Sequence, residues 1–200
     1  MPGNAQPDYR DTQLDPDLLS TPFKAQTNWH VITGAPCSGK TTLIDQLADL
    51  GFHTVPEAAR IFVENELAKG GTLDEIREDP ATFTRQVYDL MIERERGIRT
   101  ADVTFLDRAL PDAPAFYRIA GMNPNEILPD CFLYRYASVF MLDRLPYQLD
   151  GVRAADDPTA DYFDAWTERD YSALGYNVVR VPVLPPDERL AFVLDKIPER

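Results

Sequence analysis

The sequence predicts a three-layer α/β fold, with helices covering both faces of a parallel five-stranded sheet. Three observations carry this expectation. Short apolar runs alternate with segments of helical periodicity, the pattern of repeated βαβ units. Runs such as Val103-Thr104-Phe105-Leu106 are apolar enough for strands with both faces covered. The first run passes through a loop bounded by two glycines straight into a helix.

Residues 1–27 hold Pro2, Pro7, Pro16 and Pro22 among many polar side chains and show little periodicity, so they are expected to form a partly ordered arm ahead of one domain at 28–200. Trp29-His30-Val31-Ile32-Thr33 reads as the first buried strand. After the glycine loop, Leu43, Ile44, Leu47 and Leu50 recur at helical spacing, and Gly51 ends that helix. Phe52-His53-Thr54-Val55 is the second strand. Pro56-Glu57 opens a helix that runs through Ile61, Phe62 and Leu67 to Gly70-Gly71. Phe83, Val87, Leu90, Met91 and Ile98 form one face of a long helix over 80–99, with Glu93 and Arg96 on other faces. Arg85, Gln86 and Arg94 on that helix read as its solvent-facing side. The third strand, 103–106, ends at Asp107-Arg108. Short helices are expected over 113–121 and 129–135, a fourth strand over Ser138–Leu142, an irregular stretch over 143–157, a helix over 159–174 that packs through Trp166 and Tyr171, a fifth strand over 177–181 and a last helix over 186–197. The chain shows no internal repeat.

A formal net charge of −13, spread along 200 residues, leaves no basic stripe for a phosphate backbone, so nucleic acid is not an expected partner. An acidic surface also repels free nucleotide. A triphosphate site must therefore be a local concentration of backbone N–H groups, a lysine, arginines and a metal. Cys37 and Cys131 lack metal-type spacing, and both histidines, His30 and His53, fall inside expected strands. No segment approaches the roughly 18 consecutive apolar residues of a membrane span, and a cytoplasmic location is expected.

The loop Gly34-Ala35-Pro36-Cys37-Ser38-Gly39-Lys40-Thr41 has the spacing Gly-x4-Gly-Lys-Thr, the Walker A pattern of a P-loop. A strand before it and a helix after it are what phosphate binding requires, because loop N–H groups and the positive helix end together face the phosphate oxygens. Lys40 is expected to reach the β- and γ-phosphates, Thr41 to ligate Mg²⁺, and Thr42 to complete the nucleotide-binding run. Cys37 is either a reactive thiol or a small residue at a free loop position, and no role is assigned to it.

Strand ends supply the remaining candidates. Asp107 closes a buried strand, where a carboxylate can hold the Mg²⁺ shell or cap the next turn. Arg108 can meet phosphate or pair locally. Glu57 follows the second strand and is either the base for an acceptor hydroxyl or an ordinary first-turn acid on the helix dipole. Arg144 and Arg153 lie in a stretch with the composition of a flap; Arg153 either closes onto the transferring phosphoryl group or pairs with a neighbour such as Asp156.

Quoted together, Val31-Ile32-Thr33-Gly34 through Lys40-Thr41-Thr42-Leu43, Val55-Pro56-Glu57-Ala58-Ala59-Arg60, Phe105-Leu106-Asp107-Arg108 with Asp112, Asp150-Gly151-Val152-Arg153, Leu174-Gly175-Tyr176, Val181-Pro182 and Glu188-Arg189 resemble a known family. It is the small single-domain AAA-type P-loop ATPases grouped with the ribosylnicotinamide kinase domain, which look broadly like nucleoside and nucleotide kinases. The match covers about 29–197. The resemblance implies a nucleoside-kinase-like sheet, triphosphate on Lys40 and Thr41, Glu57 as base, Asp107-Arg108 as the acid–arginine pair ending the third strand, and Arg153 on a flap. No adenylyltransferase domain of the kind attached in some relatives is expected within these residues, and the arm lies outside the match. The function expected is a Mg²⁺-dependent kinase that moves the γ-phosphate of ATP (or GTP) to a nucleoside- or nucleotide-like acceptor. The alternatives are a nucleotide-binding switch acting on a protein partner, or a plain ATPase with slow hydrolysis.

Overall fold

In the computed structural model, residues 8–145 and 158–197 are described; the expected flap arginine, Arg153, lies outside them. Five strands form the main sheet: β2 (Trp29–Thr33), β3 (His53–Val55), β4 (Thr104–Asp107), β6 (Ser138–Leu142) and β7 (Val178–Val181). All neighbours are parallel, in the order β3-β4-β2-β6-β7. The chain leaves β2 toward one edge to build β3 and β4, then crosses back to build β6 and β7. The end of β2 is thus the point where the winding reverses, and in open α/β sheets the crevice for a ligand opens there.

Every residue of β2 and β4 is buried, which explains why these strands read as apolar runs rather than alternating ones. Successive side chains go to opposite layers. Trp29 and Val31 join Leu106, Val139, Phe132 and Tyr171 on one face, while Ile32 joins Phe105 and Phe140 under Leu43, Ile44 and Leu47 on the other. Helices α1 (Lys40–Asp49) and α7 (Pro186–Asp195) cover this second face; α4 (Pro80–Arg96), α5 (Ala113–Ile119) and α6 (Pro158–Ala173) lie with the first layer, and α2 (Ala58–Ala68) packs on α4. His30 meets Ser138 Oγ through Nδ1 at 2.6 Å and His53 meets Thr104 Oγ1 at 3.0 Å, so both histidines are held by hydroxyls within the sheet.

One local expectation is corrected in part and one element is added. The short helix expected over 129–135 is a 3-10 helix, Leu128–Phe132, which ends early and gives way to the short strand β5 (Tyr134–Arg135), paired in parallel with β1 (Ala25–Gln26). Backbone partners from the N-terminal segment decide this, because Lys24 N–H donates to Phe132 O at 2.9 Å and Thr27 N–H to Arg135 O at 3.0 Å. That segment packs against the domain, with Leu14 in the core and Arg118 Nε donating to Thr12 O at 2.7 Å. Between α2 and α4 stands a further short helix, α3 (Leu73–Arg77), begun by a reciprocal capping box between Thr72 and Glu75.

Candidate active site

The chain can leave β2 only through a glycine. At Gly34, φ is +131°, and a Cβ would stand 2.6 Å from Leu142 O on the adjoining strand. Gly39, at φ +90°, returns the backbone into α1, so Lys40 is the first helical residue and the loop N–H groups precede a helix N-terminus. Lys40 is buried and folds back over the loop, its Nζ donating to Gly34 O and Ala35 O at 3.0 Å each. Burial, helped by the nearby charge of Arg108, lowers its pKa to about 8, against the opposing pull of Asp107, Glu57 and Asp112. Behind the loop, Arg189 on α7 reaches three carbonyl oxygens: Ser38 O, Pro182 O at 2.9 Å and Asp143 O at 3.0 Å. One buried guanidinium thereby ties the loop to the ends of β6 and β7.

Glu57 follows β3 as the residue ahead of α2, and its side chain makes no cap hydrogen bond. Its Oε1 instead accepts from Arg108 Nε at 2.8 Å. The charges and hydrogen bond of Arg108, with Lys40 beyond, outweigh desolvation and hold the Glu57 carboxyl below the usual range. Arg108 is left-handed at φ +68°, its N–H donating to Ile32 O at 3.0 Å. Its guanidinium also contacts Asp112 Oδ1 at 3.4 Å and lies over the Phe163 ring at 4.5 Å. Local pairing, one of the two alternatives for Arg108, is therefore what its side chain does here.

Asp107 closes β4 beside this pair. Its Oδ1 is buried without a hydrogen-bond partner among the described residues, and burial together with the Glu57 charge raises its pKa to about 6. Among the described residues no group of three His, Cys, Asp or Glu side chains gathers around one point. A divalent cation here would rest on Asp107, the Thr41 hydroxyl and oxygens brought by the ligand, and the orphaned Asp107 oxygen fits that task.

The loop, Glu57 and Arg108 line an open cavity of about 820 Å³ together with Arg60, Glu64, Arg77 and Phe83. Next to it, a narrow apolar crevice shares Glu57, Phe83 and Arg108 and continues between Tyr88, Met91 and Phe116. Arg85, Gln86 and Arg94 do not line the main cavity; Arg85 pairs with Glu126 at 3.5 Å. Arg144 pairs with Asp161 of α6. Cys37 is exposed on the cavity rim at φ +62°.

Sequence reasoning quoted Asp112 beside Asp107-Arg108 without giving it a role and missed Glu95, and these two carboxyls are the buried support of the Asp107–Arg108 turn. Asp112, fully buried, accepts from Thr33 Oγ1, from Tyr171 Oη at 2.7 Å and from Ala109 N–H at 3.0 Å. Glu95 accepts from Leu110 N–H at 3.0 Å and Tyr136 Oη at 2.7 Å, and burial lifts its pKa to about 8. A signal for Glu95 was present: Tyr88, Met91 and Glu95 fall at i, i+3 and i+7, one stripe of α4, and all three are buried.

The family model for the AAA domain matches residues 29–189. No curated protein matches the chain. Among solved structures, NadR protein in complex with NR superposes with a TM-score of 0.59 at 16% identity, over 87% of this chain and 52% of that one. NadR protein in complex with NAD and AMP-PNP gives 0.57 at 19%, over 87% and 51%. Deoxyadenosine kinase from M.mycoides, with the products dcmp and dcdp bound, gives 0.57 at 13%, over 84% and 97%. The chain spans about half the length of the NadR structures it resembles. At these identities the likeness is one of fold, that of a P-loop nucleoside-kinase-like domain.

Proposed function

The chain belongs to the AAA domain family, and from that premise we propose that it is a small-molecule kinase using ATP (or GTP) and Mg²⁺. One observation carries the reading: the carboxylate of Glu57, held by Arg108, lines both the phosphate-loop cavity and the adjoining apolar crevice. Nucleotide binding alone requires neither the carboxylate nor the crevice. The loop N–H groups and Lys40 hold the donor phosphates, and the ammonium moves from Gly34 O and Ala35 O to phosphate oxygens. Mg²⁺, on Thr41 and Asp107, would supply charge neutralisation at the transferring group. Arg108 occupies Oε1 of Glu57 and so fixes its orientation, leaving Oε2 to take the proton of an acceptor hydroxyl as that oxygen bonds to the γ-phosphorus and the bond from phosphorus to the β–γ bridging oxygen breaks, releasing the nucleoside diphosphate. Phosphoryl transfer asks little of the base beyond position, which suits a carboxylate of low pKa. The proposed roles of Glu57, Asp107 and Arg108 rest on this geometry, and that of Arg153, outside the described residues, on the flap resemblance alone.

The test is ATP and GTP consumption with Mg²⁺, alone and with nucleosides, nucleoside monophosphates and nicotinamide riboside, using Lys40→Ala as the blank. An acceptor-dependent rise lost in the blank supports the kinase. A slow rate indifferent to all acceptors would replace it with a plain nucleotide hydrolase.

A further inference from the structure

The cations around the cavity are not equivalent. Arg108 is bound to Glu57 and Asp112, Arg60 to Glu64 at 2.9 Å, and Lys40 is committed to the loop. Arg77 alone among these cavity-lining cations has neither an ion pair nor a side-chain hydrogen bond within the described residues. It is the last residue of α3, a helix held at its start by the Thr72–Glu75 capping box and packed on α2 and α4, so its backbone is placed by structure rather than by a free loop. The two acids that line the phosphate cavity with Arg77 are each paired with another arginine, Glu57 with Arg108 and Glu64 with Arg60. Glu66, Glu75, Glu78 and Asp79 line a separate cavity of about 290 Å³ between α2, α3 and α4, whereas Arg77 lines the phosphate cavity. In a chain of net charge −13, an exposed, unpaired guanidinium on the phosphate cavity, whose own acids Glu57 and Glu64 are already paired, creates a local site for an anion.

We propose that Arg77 binds an anionic group on the acceptor, so that the molecule phosphorylated carries a phosphate or carboxylate besides its reacting hydroxyl. The acceptor lies with its apolar part in the crevice beside Phe83, its hydroxyl at Glu57 and its anionic group toward Arg77, while Lys40 serves the donor. A guanidinium suits this task, because its planar fork meets two oxygens of either anion at once. This inference rests on the kinase reading and narrows its substrate class.

The experiment compares wild type, Arg77→Gln and Arg77→Lys in steady-state turnover with three sets of acceptors: neutral nucleosides, nucleoside 5′-monophosphates and small hydroxycarboxylates. Binding of the same compounds is measured by calorimetry with a non-hydrolysable ATP analogue present. The expected result is preference for one anionic set and, in Arg77→Gln, an acceptor KM raised about 10- to 100-fold, the loss of one hydrogen-bonded charge contact. The KM for ATP shifts far less, and Arg77→Lys recovers part of the loss. Whichever anionic set is preferred distinguishes phosphate from carboxylate. Neutral nucleosides serving as well as their monophosphates would overturn the inference while leaving the kinase intact. An equal rise in the KM for ATP would move Arg77 to the donor and overturn it too. Turnover indifferent to every acceptor removes the kinase reading, and calorimetry then judges Arg77 separately: absence of any Arg77-dependent anion binding overturns its assignment.

Discussion

Arg108 Nε donates to Glu57 Oε1 at 2.8 Å, joining the carboxyl ends of two neighbouring strands at the rim of the phosphate loop. The contact has two consequences of different kinds. It keeps Glu57 ionised, and it partly neutralises a guanidinium that is buried with Asp112. Glu57→Gln should therefore keep the fold and the nucleotide-induced rise in melting temperature, yet lower kcat by about 10²- to 10⁴-fold, the range for loss of a general base. Arg108→Ala should instead act on stability, by roughly 3–5 kcal/mol, since it leaves buried carboxylates without their counterion. Denaturant unfolding of the two variants separates the effects: equal losses of stability would refute this division.

Glu95 gives a pH dependence with a definite sign. Its carboxyl is raised to about 8 in the folded chain against an ordinary value near 4.5, because burial disfavours its charged form. The unfolded chain gives up this proton first, so the stabilising contribution is complete below about 4.5 and is lost as pH rises through about 8. Wild type should lose stability between pH 5 and 8 by an amount on the order of a few kcal/mol, while Glu95→Gln, which has no proton to lose, should show a flatter profile. Parallel profiles for the two proteins would show that Glu95 is not the titrating group.

The main sheet and the loop were legible in the sequence because each is a local signal. Trp29–Thr33 is a short run rich in large apolar and β-branched side chains, buried throughout, and Gly34, Gly39 and Lys40 have meaning at fixed spacing. Glu57, Asp107 and Arg108 were legible as strand-end residues, but their mutual pairing was not, since it depends on β3 lying beside β4. Arg189 was opaque for a stronger reason. Its acceptors are carbonyls 7, 46 and 151 residues away, and a carbonyl has no residue identity to read. The β1–β5 pair, two residues long, is too short to show a period. In contrast, the capping box at Thr72–Glu75 was written plainly in the chain and marks α3, the helix that presents Arg77.

Gly34→Ala probes the close approach of the loop to β6. The added Cβ would meet backbone, Leu142 O at 2.6 Å and Leu142 N at 3.2 Å, in a conformation at φ +131° that side chains rarely adopt. Backbone of a central strand cannot step aside as a flexible side chain would. We expect a loss of roughly 2–4 kcal/mol in unfolding free energy, together with weakened nucleotide binding, measured by chemical denaturation and by the thermal shift with added ATP. Gly70→Ala is the control: its φ of +97° is also left-handed, but none of the described residues lies within 4 Å of the added Cβ, so backbone strain acts there without a clash. The difference between the two variants reports the contact with Leu142.

Arg189 makes a prediction that follows from the geometry of its fork. Its three carbonyl acceptors lie on the loop, after β6 and after β7, so the side chain sets the distance between the phosphate loop and the strand ends around it. Arg189→Ala leaves those oxygens without their donor and should cost roughly 2–4 kcal/mol. In the protein that still folds, the nucleotide KM should rise about 10-fold, because loop amides that are no longer fixed must be ordered by the ligand, whereas kcat should change less. Arg189→Lys should recover little: a lysine ammonium is a single point of donation and cannot span acceptors on three segments. Steady-state kinetics with ATP varied at saturating acceptor, alongside unfolding curves, checks both parts. Full recovery in Arg189→Lys would mean that positive charge alone matters at this position, and the forked contact would lose its role in shaping the loop.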